Sequence, residues 1–249
     1  MKIPPAAGIL AIAVAIAIAL PLSASIAIGG VKDIKQARDT VEVTGSARFP
    51  IAADLASWHL SVSAEATTPG AAIAQLRTKA ALVDAFLKRG GLPASAVTEP
   101  PIAVAQTTLS VPTGHTKPAF RRVPAWRVGQ LFMIETTSIE TLQRAAAGVG
   151  DLLAGGTGVS VSRIEYLSTQ LGTAKLSALQ LAVANARVRA GTIAKGLGGK
   201  LGPVQQTTLG VYQIVPRNST EVSDYGIDDT SSRLKDVEAV VDVTFHIER

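Results

Sequence analysis

The sequence predicts an α+β fold: mixed, mostly antiparallel sheets with two long helices and one short helix packed on them, preceded by one N-terminal transmembrane helix. Three observations predict it. Apolar residues alternate in runs that come in adjacent pairs, as antiparallel strands do. Between those runs lie two long stretches with apolar residues at helical spacing. No charged side chain occurs between Lys2 and Lys32.

The N-terminal segment comes first. Ala6 to Gly30 is almost wholly Ala, Ile, Leu and Val. As a helix it is about 37 Å long, enough to cross a hydrocarbon core of about 30 Å. Residues 1–30 are therefore expected to be a transmembrane anchor or an uncleaved signal. Ser25-Ile26-Ala27 offers small residues for cleavage, but the apolar stretch is long and only Lys2 and the amino terminus form the basic region. Lys32, Lys35 and Arg38 outnumber Lys2, so charge does not set the orientation. A short tail before a large polar domain favours the domain outside. Residues 31–39 read as a linker and 40–249 as the α+β domain.

The first strand carries Val41, Val43, Ala47 and Phe49 at period 2, with Gly45 as a bulge. After Pro50 and Asp54 a second strand places Trp58, Leu60, Val62 and Ala64 on one face, and the two read as a hairpin or adjacent pair. Thr68-Pro69 opens a helix whose stripe is Ile73, Leu76, Ala80, Val83 and Leu87, and Gly90-Gly91 and Pro93 end it. Val97 to Val111 is extended, broken by Pro100-Pro101. A Pro-rich loop, Pro112 to Pro124, leads to a central strand, Trp126 to Thr136, which ends apolar on both faces. A short helix, Ser138 to Val149, and a Gly-rich loop precede a strand from Ser160 to Leu167. The longest helix, Gly172 to Leu197, is expected to bury Leu176, Leu179, Val183, Ala186, Ala190, Ile193 and Leu197. Two strands close the fold, Gln205 to Val215 and Val237 to Ile247. The second alternates cleanly, with Val237, Ala239, Val241, Val243, Phe245 and Ile247 on one face. Pro216 to Arg233 is a polar loop between them.

Chemistry is sparse. The net charge of +5 is spread along the chain with no Lys/Arg run, so no nucleic-acid partner is expected. Arg121-Arg122 with Arg127 is the one local basic cluster. There is no cysteine, which removes disulfides and thiolate metal sites. His59 and His246 lie opposite the apolar stripes of their strands, and His115 sits in a loop, so no pair has metal-ligand spacing. Nucleophile-elbow and phosphate-loop motifs are missing. Gly196, Gly198 and Gly199 stop a helix, and Gly155, Gly156 and Gly158 precede a strand. Asp224, Asp228 and Asp229 form a loose acidic loop without the alternating ligand order of a helix–loop–helix calcium site. Asn218-Ser219-Thr220 is a sequon in form, read as a polar turn. No catalytic, cofactor-binding or metal residue is assigned.

Val41-Glu42-Val43-Thr44-Gly45-Ser46-Ala47, followed by Ala53-Asp54-Leu55-Ala56 and the strand through Val62, resembles the start of the SIMPL-domain family of bacterial envelope proteins. The long helix is similar too: Leu181-Ala182-Val183-Ala184-Asn185-Ala186-Arg187, then Ala190 and Ala194-Lys195-Gly196-Leu197-Gly198. Lys200-Leu201-Gly202-Pro203-Val204 and the last Val-rich strand continue the likeness, from about Thr40 to Ile247. The resemblance implies a periplasmic α+β protein that self-assembles, with links to envelope and oxidative stress, and it supplies no catalytic residues. With the anchor, it points to a single-pass protein of the inner membrane whose domain lies in the periplasm. The expected function is non-enzymatic, through homo-oligomer formation or binding of an unknown envelope protein, with no cofactor. The alternative is a small-ligand or metal sensor using the Asp224–Asp229 and Arg121-Arg122 loops. A hydrolase would need His115, Asp224 and a serine to converge.

Overall fold

A computed structural model of the chain describes residues 39–113, 120–156 and 158–248. The expected anchor, nearly all of the linker and His115 lie outside the described residues. Among the described residues no helix is long and apolar enough to cross a membrane. The elements are β1 (Thr40–Ala52), β2 (Leu55–Ala66), α1 (Pro69–Arg89), β3 (Val97–Thr98), β4 (Ala103–Pro112), β5 (Phe120–Thr136), α2 (Ile139–Ala147), α3 (Val149–Ala154), β6 (Val159–Val161), β7 (Glu165–Leu167), α4 (Leu171–Gly196), β8 (Lys200–Leu209), β9 (Gln213–Pro216), β10 (Ile227–Asp228) and β11 (Leu234–Glu248). The fold is mixed α+β and mostly strand. The expected short helix is split at Gly148 into α2 and α3. Two expected single strands are each broken in two, into β6 and β7 and into β8 and β9.

The chain forms two compact units. The larger comprises Phe49–Lys175 and Gln213–Val237. Its sheet runs β3-β5-β2-β6, with β4 also on β5 and β7 on β2. β2 and β5 pair antiparallel without slippage from Ala56↔Thr136 to Ala66↔Trp126. The period-2 pattern of β2 turns Trp58, Leu60, Val62 and Ala64 inward against Leu76, Val83, Phe86 and Leu87 of α1. Each large side chain removed from water in this way contributes about 1.5–3 kcal/mol. The Trp58 indole nitrogen donates to the Ser162 carbonyl at 3.1 Å, so its polar edge is satisfied. Thr68 caps α1 as expected, its hydroxyl accepting from the Ala71 amide at 3.3 Å. β5 is central in the sheet, but it buries only one side: Phe132 and Ile134 are inside while Leu131 is 37% exposed.

β1 and β2 do not pair, contrary to the hairpin expectation. β1 pairs with β11, whereas β2 pairs with β5, β6 and β7. The two residues between them lack hairpin-turn chemistry and are held elsewhere. The Ala53 amide donates to the Arg233 carbonyl and the Asp54 amide to the Leu167 carbonyl. The Asp54 carboxylate takes the amide and hydroxyl of Thr169 at 2.8 and 2.6 Å. These bonds, the hydroxyl one foremost, hold the carboxyl below its ordinary pKa.

In the smaller unit, which holds the described residues through Arg48, Leu176–Tyr212 and the chain from Glu238, β11 lies between β1 and β8. The burial of α4 corrects the sequence expectation. Of the expected stripe Ala186 and Ala190 are fully buried, but Leu176, Val183, Ile193 and Leu197 are exposed, at 56%, 43%, 42% and 70%, and the helix completes its buried face with Ala178, Ala182 and Ala194. The reason is distance. A Cβ on Gly45 of β1 would fall 2.3 Å from the Ala182 carbonyl oxygen and 2.6 Å from the Ala186 Cβ. Helix and strand backbones approach so closely that only glycine facing alanine fits, and larger apolar residues are displaced to the flanks. Asn185 and Arg189 sit beside this contact. The Asn185 amide oxygen accepts from the Ser46 amide at 3.3 Å, and Arg189 donates to the Thr44 carbonyl at 2.9 Å.

Gly45→Ala is expected to destabilise the protein by about 1–3 kcal/mol, as overpacking does. Gly191→Ala, in the same helix with nothing within 4 Å of the new Cβ, is expected to stabilise by about 0.5–1 kcal/mol. Urea unfolding of the two variants checks the opposite signs.

Candidate functional site

Two features of the larger unit depart from an ordinary surface or core. The first is β4. Its ten residues, Ala-Val-Ala-Gln-Thr-Thr-Leu-Ser-Val-Pro, carry no charge. It pairs antiparallel with β5 from Ala103↔Gly129 to Pro112↔Phe120 with no register shift. No other described strand pairs with it. Its side chains are mostly exposed, with Val104 at 50%. Natural edge strands are usually blunted by lysine, proline or a bulge. Proline occurs here only at the last residue.

The second is a half-enclosed cavity of about 80 Å³ lined by Ile51, Leu167, Leu171 and Ile214, with Tyr166, Ser168 and Thr230 and the charged residues Asp228, Asp229 and Lys235. The side chains of Lys235 and Asp229 are only 3% and 9% exposed. Lys235 Nζ donates to the Asp229 carbonyl and lies 3.6 Å from its carboxylate Oδ2. Asp229 Oδ1 accepts from the amide and hydroxyl of Ser231 at 2.8 and 2.6 Å, and Oδ2 accepts from the Ser232 amide at 3.2 Å. Burial alone would raise the Asp229 pKa, but the Ser231 and Ser232 bonds and the Lys235 charge outweigh it, and the net direction is down. Burial pulls Lys235 below the ordinary lysine value, against the opposing pull of Asp229 and Asp228.

The sequence candidates separate in space. Arg121 and Arg122 are exposed at the start of β5, and Arg127 is paired with Glu65. His59 and His246 are half-buried on their strands. Asp228 and Asp229 line the cavity, but Asp224 does not, and among the described residues no group of three or more His, Asp or Glu is placed to hold a metal. Asn218 adopts φ 65° in a turn closed by Ser219 donating to the Pro216 carbonyl. Lys235 was missed, although the pattern signals it. It continues the inward register of Val237, Ala239 and Val241, where a charge does not belong without a partner.

The profile of the SIMPL family, described as a protein of unknown function (DUF541), matches residues 41–245. This chain belongs to the SIMPL family. A search of curated proteins finds no match. The SIMPL match begins at Val41 of β1 and takes in Gly45, α4 and nearly all of β11, so the close helix–strand contact lies wholly inside it.

Removing Asp229 leaves a buried ammonium without its carboxylate, so Asp229→Ala is expected to cost about 3–5 kcal/mol. Lys235→Met keeps the volume and leaves Asp229 bonded to Ser231 and Ser232, so it is expected to cost much less. Thermal melts of both variants test this order. The pH dependence follows from the two shifts. A carboxyl lowered in the folded state stabilises it above the unfolded value of about 3.9, and that stability is lost as pH falls through the folded value. A lysine lowered in the folded state leaves the unfolded chain binding more protons up to about pH 10.4, so stability rises with pH across that window. The alkaline rise should vanish in Lys235→Met, measured by urea unfolding between neutral and alkaline pH.

Proposed function

We propose that this SIMPL protein is a non-enzymatic envelope protein, tethered to the inner membrane by residues 1–30 with its domain in the periplasm, and that it acts by self-association through β4. The observation that carries this reading is the uncharged, unshifted, solvent-facing edge of β4. A second copy supplies the missing row of backbone partners by antiparallel strand addition, and no side-chain charge opposes it. Exposed apolar residues on α4 in the smaller unit, Leu181 at 48% and Val188 at 68%, add a further contact surface. The SIMPL resemblance supports envelope or oxidative stress as the setting.

Light scattering coupled to gel filtration of the full chain in mild detergent should return a discrete oligomer. Val104→Lys with Thr108→Lys places two charges on exposed positions of the edge. The variant is expected to shift to monomer while its stability changes by no more than about 0.5 kcal/mol per site. A monomeric wild type, or an oligomer unmoved by both lysines, overturns the reading. The alternative reading, a small-ligand module, draws on the cavity beside Lys235.

A further inference from the structure

From the geometry around Lys235 we infer that the cavity between β7, α4, β9 and the Asp228–Thr230 segment is a covalent binding site for small uncharged aldehydes, captured as an imine on Lys235. The inference does not depend on self-association.

The physical case starts from what a buried lysine needs. A side chain 3% exposed gives up most of its hydration, and a single carboxylate partner also only 9% exposed returns part of it. Lys235 has three N–H bonds. One goes to the Asp229 carbonyl, and the Asp229 carboxylate Oδ2, at 3.6 Å, balances the charge without a hydrogen bond. Lys235 is nevertheless one of the residues lining a half-enclosed cavity of about 80 Å³, whereas a purely structural ion pair is normally packed over. A water needs about 10–15 Å³ by this measure, so the cavity has room for a molecule of about five to eight non-hydrogen atoms.

The lining selects the class of ligand. Ile51, Leu167, Leu171 and Ile214 make the walls apolar, and the Lys235 charge is already balanced by Asp229. Anions gain no unpaired cation here, and Asp228 beside the cavity disfavours them further. Cations meet the ammonium. A small neutral carbonyl compound fits both the size and the balance, and Ser168 and Thr230 bring polar residues to the lining. Desolvated lysines in apolar pockets are the amines that form Schiff bases, because burial raises the share of free amine at neutral pH.

The step balances without a co-reactant. Lys235 gives one proton to solvent, and its nitrogen lone pair attacks the aldehyde carbon. The carbonyl electron pair moves to oxygen, which takes up a proton while the nitrogen releases one to solvent, giving a neutral carbinolamine. A second proton turns the hydroxyl into leaving water, and the nitrogen lone pair forms the C=N bond. The sum is ammonium plus aldehyde to protonated imine plus water. The positive charge leaves with the first proton and returns on the protonated imine, so the Asp229 carboxylate balances the adduct as it balances the resting ammonium.

The test uses the full chain, unmodified, with propanal and cyanoborohydride at pH 7, followed by peptide mass spectrometry. Exposed lysines of the same molecule, Lys195 and Lys200, serve as internal references. Lys235 is expected to gain the propyl mark at least tenfold faster than either. With 2-naphthaldehyde, too large for the cavity, that preference should disappear. A preference below tenfold with propanal overturns the proposal, and so does an equal preference for the bulky aldehyde. No variant has to fold for the result to be read, and an oligomer or a monomer gives the same reading.

Discussion

The approach of α4 to β1 at Gly45 is the constraint on which the smaller unit depends. A helix packed on a sheet normally stands off by the thickness of two layers of side chains, with Leu and Ile filling the gap. Here one layer is removed. Glycine on the strand and alanines at every fourth helical residue let the backbones themselves meet, with a Cβ at position 45 having no room. Dispersion between close-packed backbone atoms replaces burial of large side chains. Contact at that range also brings the helix's polar side chains to the strand, and Asn185 and Arg189 bond backbone groups of β1. The same choice exposes Leu176, Leu181, Val188 and Leu197, because a helix held by its smallest residues presents its largest ones elsewhere.

That consequence explains where sequence reading succeeds and where it fails. In β2, and at most positions of α1 and β11, the most apolar residues are also the buried ones, so periodicity identifies strands, helix and core together. In α4 the rule inverts. Counting hydrophobicity selects Leu176, Val183 and Ile193, while the buried positions are alanines whose individual apolar signal is weak. The spacing of four was visible in Ala178, Ala182, Ala186, Ala190 and Ala194, and Gly45 in the middle of a strand was visible as well. Only together do they report a close approach, and that pairing is made by the tertiary fold. The β1–β2 hairpin failed for a related reason. Chain adjacency suggests pairing, but the Ala53-Asp54 connection offers no hairpin turn and is bonded to Arg233, Leu167 and Thr169.

The two unusual features of the larger unit were legible to different degrees. An uncharged run from Ala103 to Pro112 can be read directly from the sequence, but its standing as an edge requires the strand order. Lys235 is the converse case. Its inward position follows from the alternation of β11, yet its partner comes from a loop that looks merely polar. Nothing in the spelling of Asp224, Asp228 and Asp229 distinguishes the one whose carboxylate is saturated by Ser231 and Ser232. Acidic residues close in sequence were grouped as one site, and the fold assigns them different work.

The energetics of that pair bear on why it persists. A buried ion pair rarely stabilises a fold better than apolar residues of the same volume, because both partners lose hydration. Ile51, Leu167, Leu171 and Ile214 line the same cavity as Lys235, so an aliphatic residue at 235 would make that lining more apolar. Folding stability alone therefore gives weak grounds for a lysine at this position. Asp229 does have a structural task without it, since its carboxylate organises the turn through Ser231 and Ser232 and its amide donates to the Ile214 carbonyl at 2.9 Å. The lysine is the member of the pair whose presence calls for a reason beyond the fold. A lysine balanced in charge by Asp229 and set among the residues lining a small cavity has that reason in the aldehyde capture proposed for it.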